Sequence, residues 1–107
     1  MEATHDRKKL EELLQSSDIA AATETLMYIC FNIDDADWVQ DKCVEIIERR
    51  GDLNLIKLAI TCIGHVARIH SFINKAKVMP VLERCLKDPA LSGRAEDALQ
   101  DIEIFIK

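Results

Sequence analysis

The apolar residues of this chain repeat at a spacing of 36 residues, and this repeat constrains the fold more than any other feature. Three segments carry equivalent apolar positions, each with the spacing of one helix face. These positions are Ile19, Leu26, Met27 and Cys30, then Leu55, Cys62, Ile63 and Val66, then Leu91, Ala98, Leu99 and Ile102. We therefore expect three equivalent amphipathic helices, each of which needs its neighbours to complete a core.

A second set of helices alternates with the first. Its apolar faces are Leu10-Leu13-Leu14, Cys43-Ile46-Ile47 and Leu82-Cys85-Leu86, at offsets of 33 and 39 residues. The six predicted helices cover about residues 6–15, 18–32, 35–50, 53–69, 75–87 and 92–106. The paired offsets favour an all-α fold, a short α-solenoid of three helical hairpins, over a six-helix bundle with chance regularity. The length of 107 residues fits a single domain over 1–107.

Local signals support these boundaries. Asp and Asn side chains are good N-caps, and Gly51 is well placed to follow the end of the third helix. Pro80 predicts either a fifth helix that starts after Lys75 or one with kinked first turns. The candidate caps are Ser17 or Asp18, Asp34 or Asp35, Asp52 and Asn74.

The composition argues against several other classes of protein. Three Gly and two Pro are too few for the turns of a β-sandwich or barrel. No apolar run is long enough to cross a bilayer, and the first residues lack the apolar segment of a signal peptide. The four cysteines all fall on apolar helix faces, which is typical of a reducing compartment, so we expect a cytoplasmic protein.

The charge is uneven. The formal net charge is −5; residues 1–53 carry −7 and residues 54–107 carry +2. This pattern lacks the basic stripe of a nucleic-acid binder and indicates a basic partner, or simply a need for solubility.

Catalytic and metal-binding patterns are weak. His65 and His70 are five residues apart, whereas ligands on one helix face are three or four apart. The cysteines show no CxxC spacing. We therefore expect no enzyme, no metal and no cofactor.

The third helix carries the first candidate partner-binding surface. The helical steps of its exposed side place the single tryptophan, Trp38, among carboxylates. Trp38 is interpreted either as an interface anchor or as a cover for the joint between the first two repeats. We call this surface the acidic stripe; it comprises Asp34, Asp35, Asp37, Trp38, Asp41, Glu45 and Glu48.

The even-numbered helices carry the second candidate surface. In a solenoid, equivalent positions of stacked helices form rows on one face, which is the usual binding face. Gly64 in mid-helix costs about 1 kcal/mol relative to Ala, and it predicts either close helix packing or open space for a partner. The rows are Thr25, Thr61 and Asp97; Tyr28, Gly64 and Gln100; and Ile29, His65 and Asp101.

Residues 53–107 carry a family resemblance. The helix over residues 59–70, AITCIGHVARIH, precedes the early proline of VMPVL at 78–82 and the DPALSGRAEDALQDI segment at 88–102. This pattern resembles a HEAT-type repeat, and more narrowly the small HEAT-like immunity proteins of bacterial toxin–immunity systems, including contact-dependent growth inhibition. The resemblance implies a protein that protects its cell by binding one cognate toxin domain, typically a basic nuclease, in a 1:1 complex.

Two other functions stay open at this point. A HEAT-like adaptor that binds another cellular protein has the same fold, because fold does not determine function. Some HEAT-like proteins are DNA glycosylases, but the acidic charge argues against a nucleic-acid substrate.

Overall fold

The computed structural model describes residues 6–106, and this range consists of helices joined by short loops, without a β-strand. Six helices are present in this range, as the sequence predicts, and each boundary lies within a residue or two of its expected position. They are α1 (Arg7–Leu14), α2 (Ile19–Asn32), α3 (Ala36–Arg49), α4 (Leu53–His70), α5 (Lys75–Leu86) and α6 (Ser92–Phe105). None is long and apolar enough to cross a membrane.

Side-chain caps begin four of the helices at predicted positions. Asp18, Asp35, Asp52 and Asn74 each accept a hydrogen bond from a backbone N–H in the first turn of the following helix. The predicted role of Gly51 is wrong. The left-handed residue that ends α3 is Arg50, with φ of 57°, and no glycine in the described range has a positive φ.

The fifth helix begins at Lys75 and contains Pro80 within it, so the expectation of a later start is wrong. The proline cannot donate to the carbonyl of Ala76, and both residues are exposed, so water can satisfy that carbonyl. The α5–α6 turn is organised by Asp88, whose carboxylate accepts from the N–H of Ala90 at 2.9 Å. Its backbone carbonyl accepts from the N–H of Leu91 and of Ser92.

The helices form two layers. Consecutive helices pair as hairpins, α1 with α2, α3 with α4 and α5 with α6. The even helices stack in the order α2, α4, α6, and α3 stacks on α5 in the other layer. This is the three-hairpin solenoid that the sequence repeat predicts, with principal extents of 36 × 28 × 18 Å.

The core runs between the layers and is centred on α4. Ile60, Ile63 and Val66 have no exposed surface, and Leu82 of α5 is also fully buried. Two positions of the α2 repeat were assigned to the core wrongly, because Ile19 and Met27 are 41% and 46% exposed. The α2 helix packs mainly on α1 and α4, so fewer neighbours cover its apolar surface than cover α4.

A buried glutamine links the hairpins. Gln40 has no exposed surface, yet each polar atom of its side chain has a partner. Its amide nitrogen donates to the carbonyls of Ala36 and Phe72, and its amide oxygen accepts from the N–H of Asn74 at 2.8 Å. These bonds fix the α4–α5 loop against the start of α3, and buried polar groups satisfied in this way do not destabilise a core.

All four cysteines are buried free thiols, as their positions on apolar faces predict. Hydrogen bonding to Cys62, together with burial, raises the pKa of Cys30, and burial raises the pKa of Cys85. Protonated, buried thiols are poor nucleophiles.

Candidate partner-binding surfaces

The acidic stripe begins at the loop before α3. Asp34 is exposed and forms no ion pair with a described residue. Asp35 is the N-cap, and its carboxylate also accepts from the Arg7 guanidinium at 2.8 Å. The N–H of Trp38 and the Arg7 side chain lower the pKa of Asp35. One acid of the stripe is therefore engaged in holding α1 to α3.

Further along α3, the acids pair with bases of α5. Lys77 contacts both Asp37, at 3.3 Å, and Asp41, and the hydrogen bond that Lys77 donates to Asp41 raises the pKa of the lysine. Glu48 accepts from Arg84 at 2.9 Å. These exposed pairs each contribute little to stability, but they neutralise charge locally.

Trp38 lies at the α1–α3 joint. Its ring is half-buried and packed against the core, with the Arg7 guanidinium carbon 4.9 Å and the Lys42 Nζ 5.6 Å from the ring centroid. This placement favours the second interpretation of Trp38, as a cover for the joint between the first two repeats.

An ion-pair cluster around the buried Lys42 supports the same joint. Lys42 is 9% exposed and donates to Glu11 at 2.8 Å and to Glu45 at 3.2 Å. Burial acts to lower the pKa of Lys42, but the hydrogen bonds to the two glutamates outweigh it and raise the pKa. The hydrogen bond from Lys42 lowers the pKa of Glu11. The stripe is therefore largely an intramolecular ion-pair network, in which only Asp34 has no ionic partner among the described residues.

The second candidate surface is a connected strip across α2, α4 and α6. Phe31, which is 56% exposed, meets the His65 ring edge-on at a centroid distance of 5.0 Å. Arg68 donates to Nδ1 of His65 at 2.8 Å and lies 3.6 Å from the Asp101 carboxylate. Burial and the Arg68 charge lower the pKa of His65, and Asp101 opposes them. The structure thus brings His65 and Asp101 together through an arginine.

A groove lies beside this strip. It has a volume of about 320 Å³ and runs between α4 and α6. Gly64 and Asp101 line it together with Asp97, which is exposed, and Arg94 donates to the Thr61 hydroxyl at 3.0 Å across it. Tyr28 is half-buried against the core at the α2 end of the same layer. The groove therefore offers both acidic and basic hydrogen-bonding groups to a partner.

Sequence reasoning missed the bases that complete both surfaces. Lys77 follows Asp41 by 36 residues and Arg84 follows Glu48 by 36, so the offset that relates the even helices, and not the 39-residue offset of the apolar faces of α3 and α5, relates these charges. Applying that offset to charged residues would have revealed this pairing. No sequence offset indicates the contacts of Arg68 and Arg94, because these contacts form only where α4 packs against α6.

The fold and these surfaces define a small all-α repeat protein with two polar candidate surfaces. No protein-family model matches the chain, and no curated protein sequence matches it. The chain is similar in structure to a chain of a crystallised complex, the contact-dependent growth inhibition (CDI) complex from Cupriavidus taiwanensis LMG 19424. The TM-score is 0.80, the sequence identity is 27%, and the match covers 94% of this chain and 89% of that chain. The resemblance to proteins of contact-dependent growth inhibition, predicted from the sequence, is thereby confirmed.

Proposed function

We propose that this protein is a CDI immunity protein, which binds its cognate toxin domain in the cytoplasm and neutralises it. The observation that carries the proposal is the likeness, over 94% of the chain, to a component of a CDI complex. In this proposal the protein neutralises the toxin by stoichiometric binding and needs no catalytic group of its own. The buried, protonated thiols fit a binding role.

The partner that we propose is a basic toxin domain, a nuclease, bound 1:1. The net charge of −5 supports a basic partner, because complementary charge accelerates encounter between proteins. Acid–base pairing within the acidic stripe reduces its attraction for a partner, since Lys77, Arg84, Arg7 and Lys42 occupy its carboxylates. We call the second candidate surface, across α2, α4 and α6, the even-helix face. This face and the ends of the solenoid are therefore the stronger candidates for contact with the toxin domain.

Protection in cells tests this function. The resemblance implies that the immunity gene directly follows its toxin gene, so the toxin domain of the upstream product is the one to express. We expect that inducing this domain alone stops growth, and that co-expression of the present chain restores it. An unrelated immunity protein of similar charge serves as the control. Growth arrest that the present chain does not relieve would contradict the proposal.

Two charge reversals test whether the acidic stripe attracts the toxin domain. Asp34→Lys changes an unpaired acid, whereas Asp41→Lys also breaks a contact with Lys77. If the stripe steers the toxin, both variants slow association and weaken its salt dependence. Unchanged association rates in both would place the contact elsewhere.

A further inference from the structure

The outer side of the last hairpin contains a groove that the acidic stripe does not include and that meets the even-helix face only at Asp97 and Gln100. It lies between α5 and α6, with a volume of about 810 Å³. Its floor is apolar and is formed by Met79, Leu86, Leu99 and Ile106. No helix of residues 6–106 covers this floor, and Leu86 is 37% exposed. Uncovered apolar surface with a polar rim is characteristic of protein–protein contact sites.

The rim of this groove is acidic. Glu96, Asp97 and Glu103 stand along α6, and all three are exposed. None forms an ion pair with a described residue, in contrast to the paired acids of α3. Lys75 is the one base that lines the groove. Three of the protein's unpaired carboxylates are therefore displayed around an apolar floor.

We infer that the α5–α6 groove binds a cationic amphipathic segment of the toxin domain, an inference that rests on the proposed function. Apolar side chains of such a segment fill the floor over Leu86 and Leu99, and flanking Lys or Arg side chains pair with Glu96 and Glu103. A second copy of this chain fits the groove poorly. Three acids against one base on each copy would place like charges opposite one another, which opposes association.

The test compares two charge-matched double variants. Glu96→Lys with Glu103→Lys reverses the rim of the groove. Glu12→Lys with Glu24→Lys makes the same charge change on exposed, unpaired acids of the first hairpin. Both are measured by surface binding kinetics against an inactivated form of the upstream-encoded toxin domain, after circular dichroism and urea unfolding confirm that each is folded.

We expect the groove variant to weaken affinity at least about 10-fold and the control to change it less than about threefold. Leu86→Ser, which removes part of the floor without changing charge, is expected to speed dissociation about 10-fold. Equal losses in the two charge variants, or normal binding by both the groove variant and Leu86→Ser, would overturn the inference. A toxin domain that wild-type protein does not bind would instead overturn the proposed function.

Sedimentation equilibrium of the protein alone tests whether a second copy of this chain occupies the groove instead. We expect a monomer, and the same monomer for Glu96→Lys with Glu103→Lys. A wild-type dimer that Leu86→Ser dissociates would assign the groove to a second copy and contradict binding of a toxin segment there.

Discussion

The carboxylate of Asp101 occupies the space into which a side chain at Gly64 would project. An ideal Cβ at Gly64 would lie 2.8 Å from Oδ2 of Asp101 and 3.5 Å from Cα of Ala98. The second distance is an ordinary contact, so the backbones of α4 and α6 leave room for one methyl group. The predicted close packing at Gly64 is therefore confirmed, and its most immediate consequence is the position of the Asp101 side chain.

We expect Gly64→Ala to change the free energy of unfolding by less than about 1 kcal/mol, because gained helix propensity offsets rotation of the Asp101 carboxylate away from Arg68. Gly64→Leu adds atoms that meet α6 itself and should destabilise by about 1–3 kcal/mol. Urea unfolding measures both. A large loss in the alanine variant would mean that Asp101 cannot move.

Core substitutions should lower the free energy of unfolding more at the fully buried centre of the core than at its edge. Ile63 and Leu82 have no exposed surface, so replacement of either by Ala should cost about 2–5 kcal/mol. Leu13, which the sequence assigned to the same core, is only half-buried and should cost about 1 kcal/mol. Denaturant unfolding of the three variants checks this order. Equal costs at all three positions would contradict the described packing.

Trp38→Ala should act mainly on folding. The ring packs at the α1–α3 joint beside Arg7 and Lys42, so its loss should lower the free energy of unfolding by about 1–3 kcal/mol. Toxin dissociation from the folded variant should be nearly unchanged. Unfolding and binding are measured on the same preparation. Normal stability with rapid dissociation would show that the ring is an interface anchor instead.

His65 should titrate below the ordinary histidine pKa of 6.5, because burial and Arg68 both disfavour its protonated form. As pH falls, the unfolded chain therefore binds this proton at a higher pH than the folded protein does. Stability from His65 is therefore present above pH 6.5 and is lost as pH falls through the lower pKa of the folded state. Imidazole shifts followed by NMR measure that pKa. Arg68→Met should raise it and Asp101→Asn should lower it further; shifts in the opposite directions would contradict the described contacts.

Helix positions were predictable because apolar periodicity and caps are local signals. Asp18, Asp35, Asp52 and Asn74 begin their helices where the sequence indicates. The identity of the left-handed residue at the end of α3 was not predictable from Gly51, since α3 ends at Arg49, one residue earlier than expected, and Arg50 takes the left-handed position. Core membership failed where a helix lies at the edge of the stack, because periodicity identifies an apolar face but not whether another helix covers it.

The candidate surfaces were predictable in position but not in charge balance. The acidic stripe lies along α3 as expected, yet Lys77 and Arg84 reach it from α5. Composition sums charge along the chain, whereas attraction for a partner depends on which charges stay unpaired after folding. Glu96 and Glu103 were not singled out from the sequence, because the groove beneath them exists only after α5 and α6 have packed.

Isothermal titration calorimetry with the purified, catalytically inactivated toxin domain tests the central claim most directly. The account predicts a single binding event at a 1:1 ratio, with a Kd of about 10 nM or tighter, as is common for specific interfaces of standard size. Nuclease activity of the unmodified toxin domain should fall to background when one equivalent of this protein is present. No binding at about 10 μM protein, where even a micromolar complex would form, would contradict the claim.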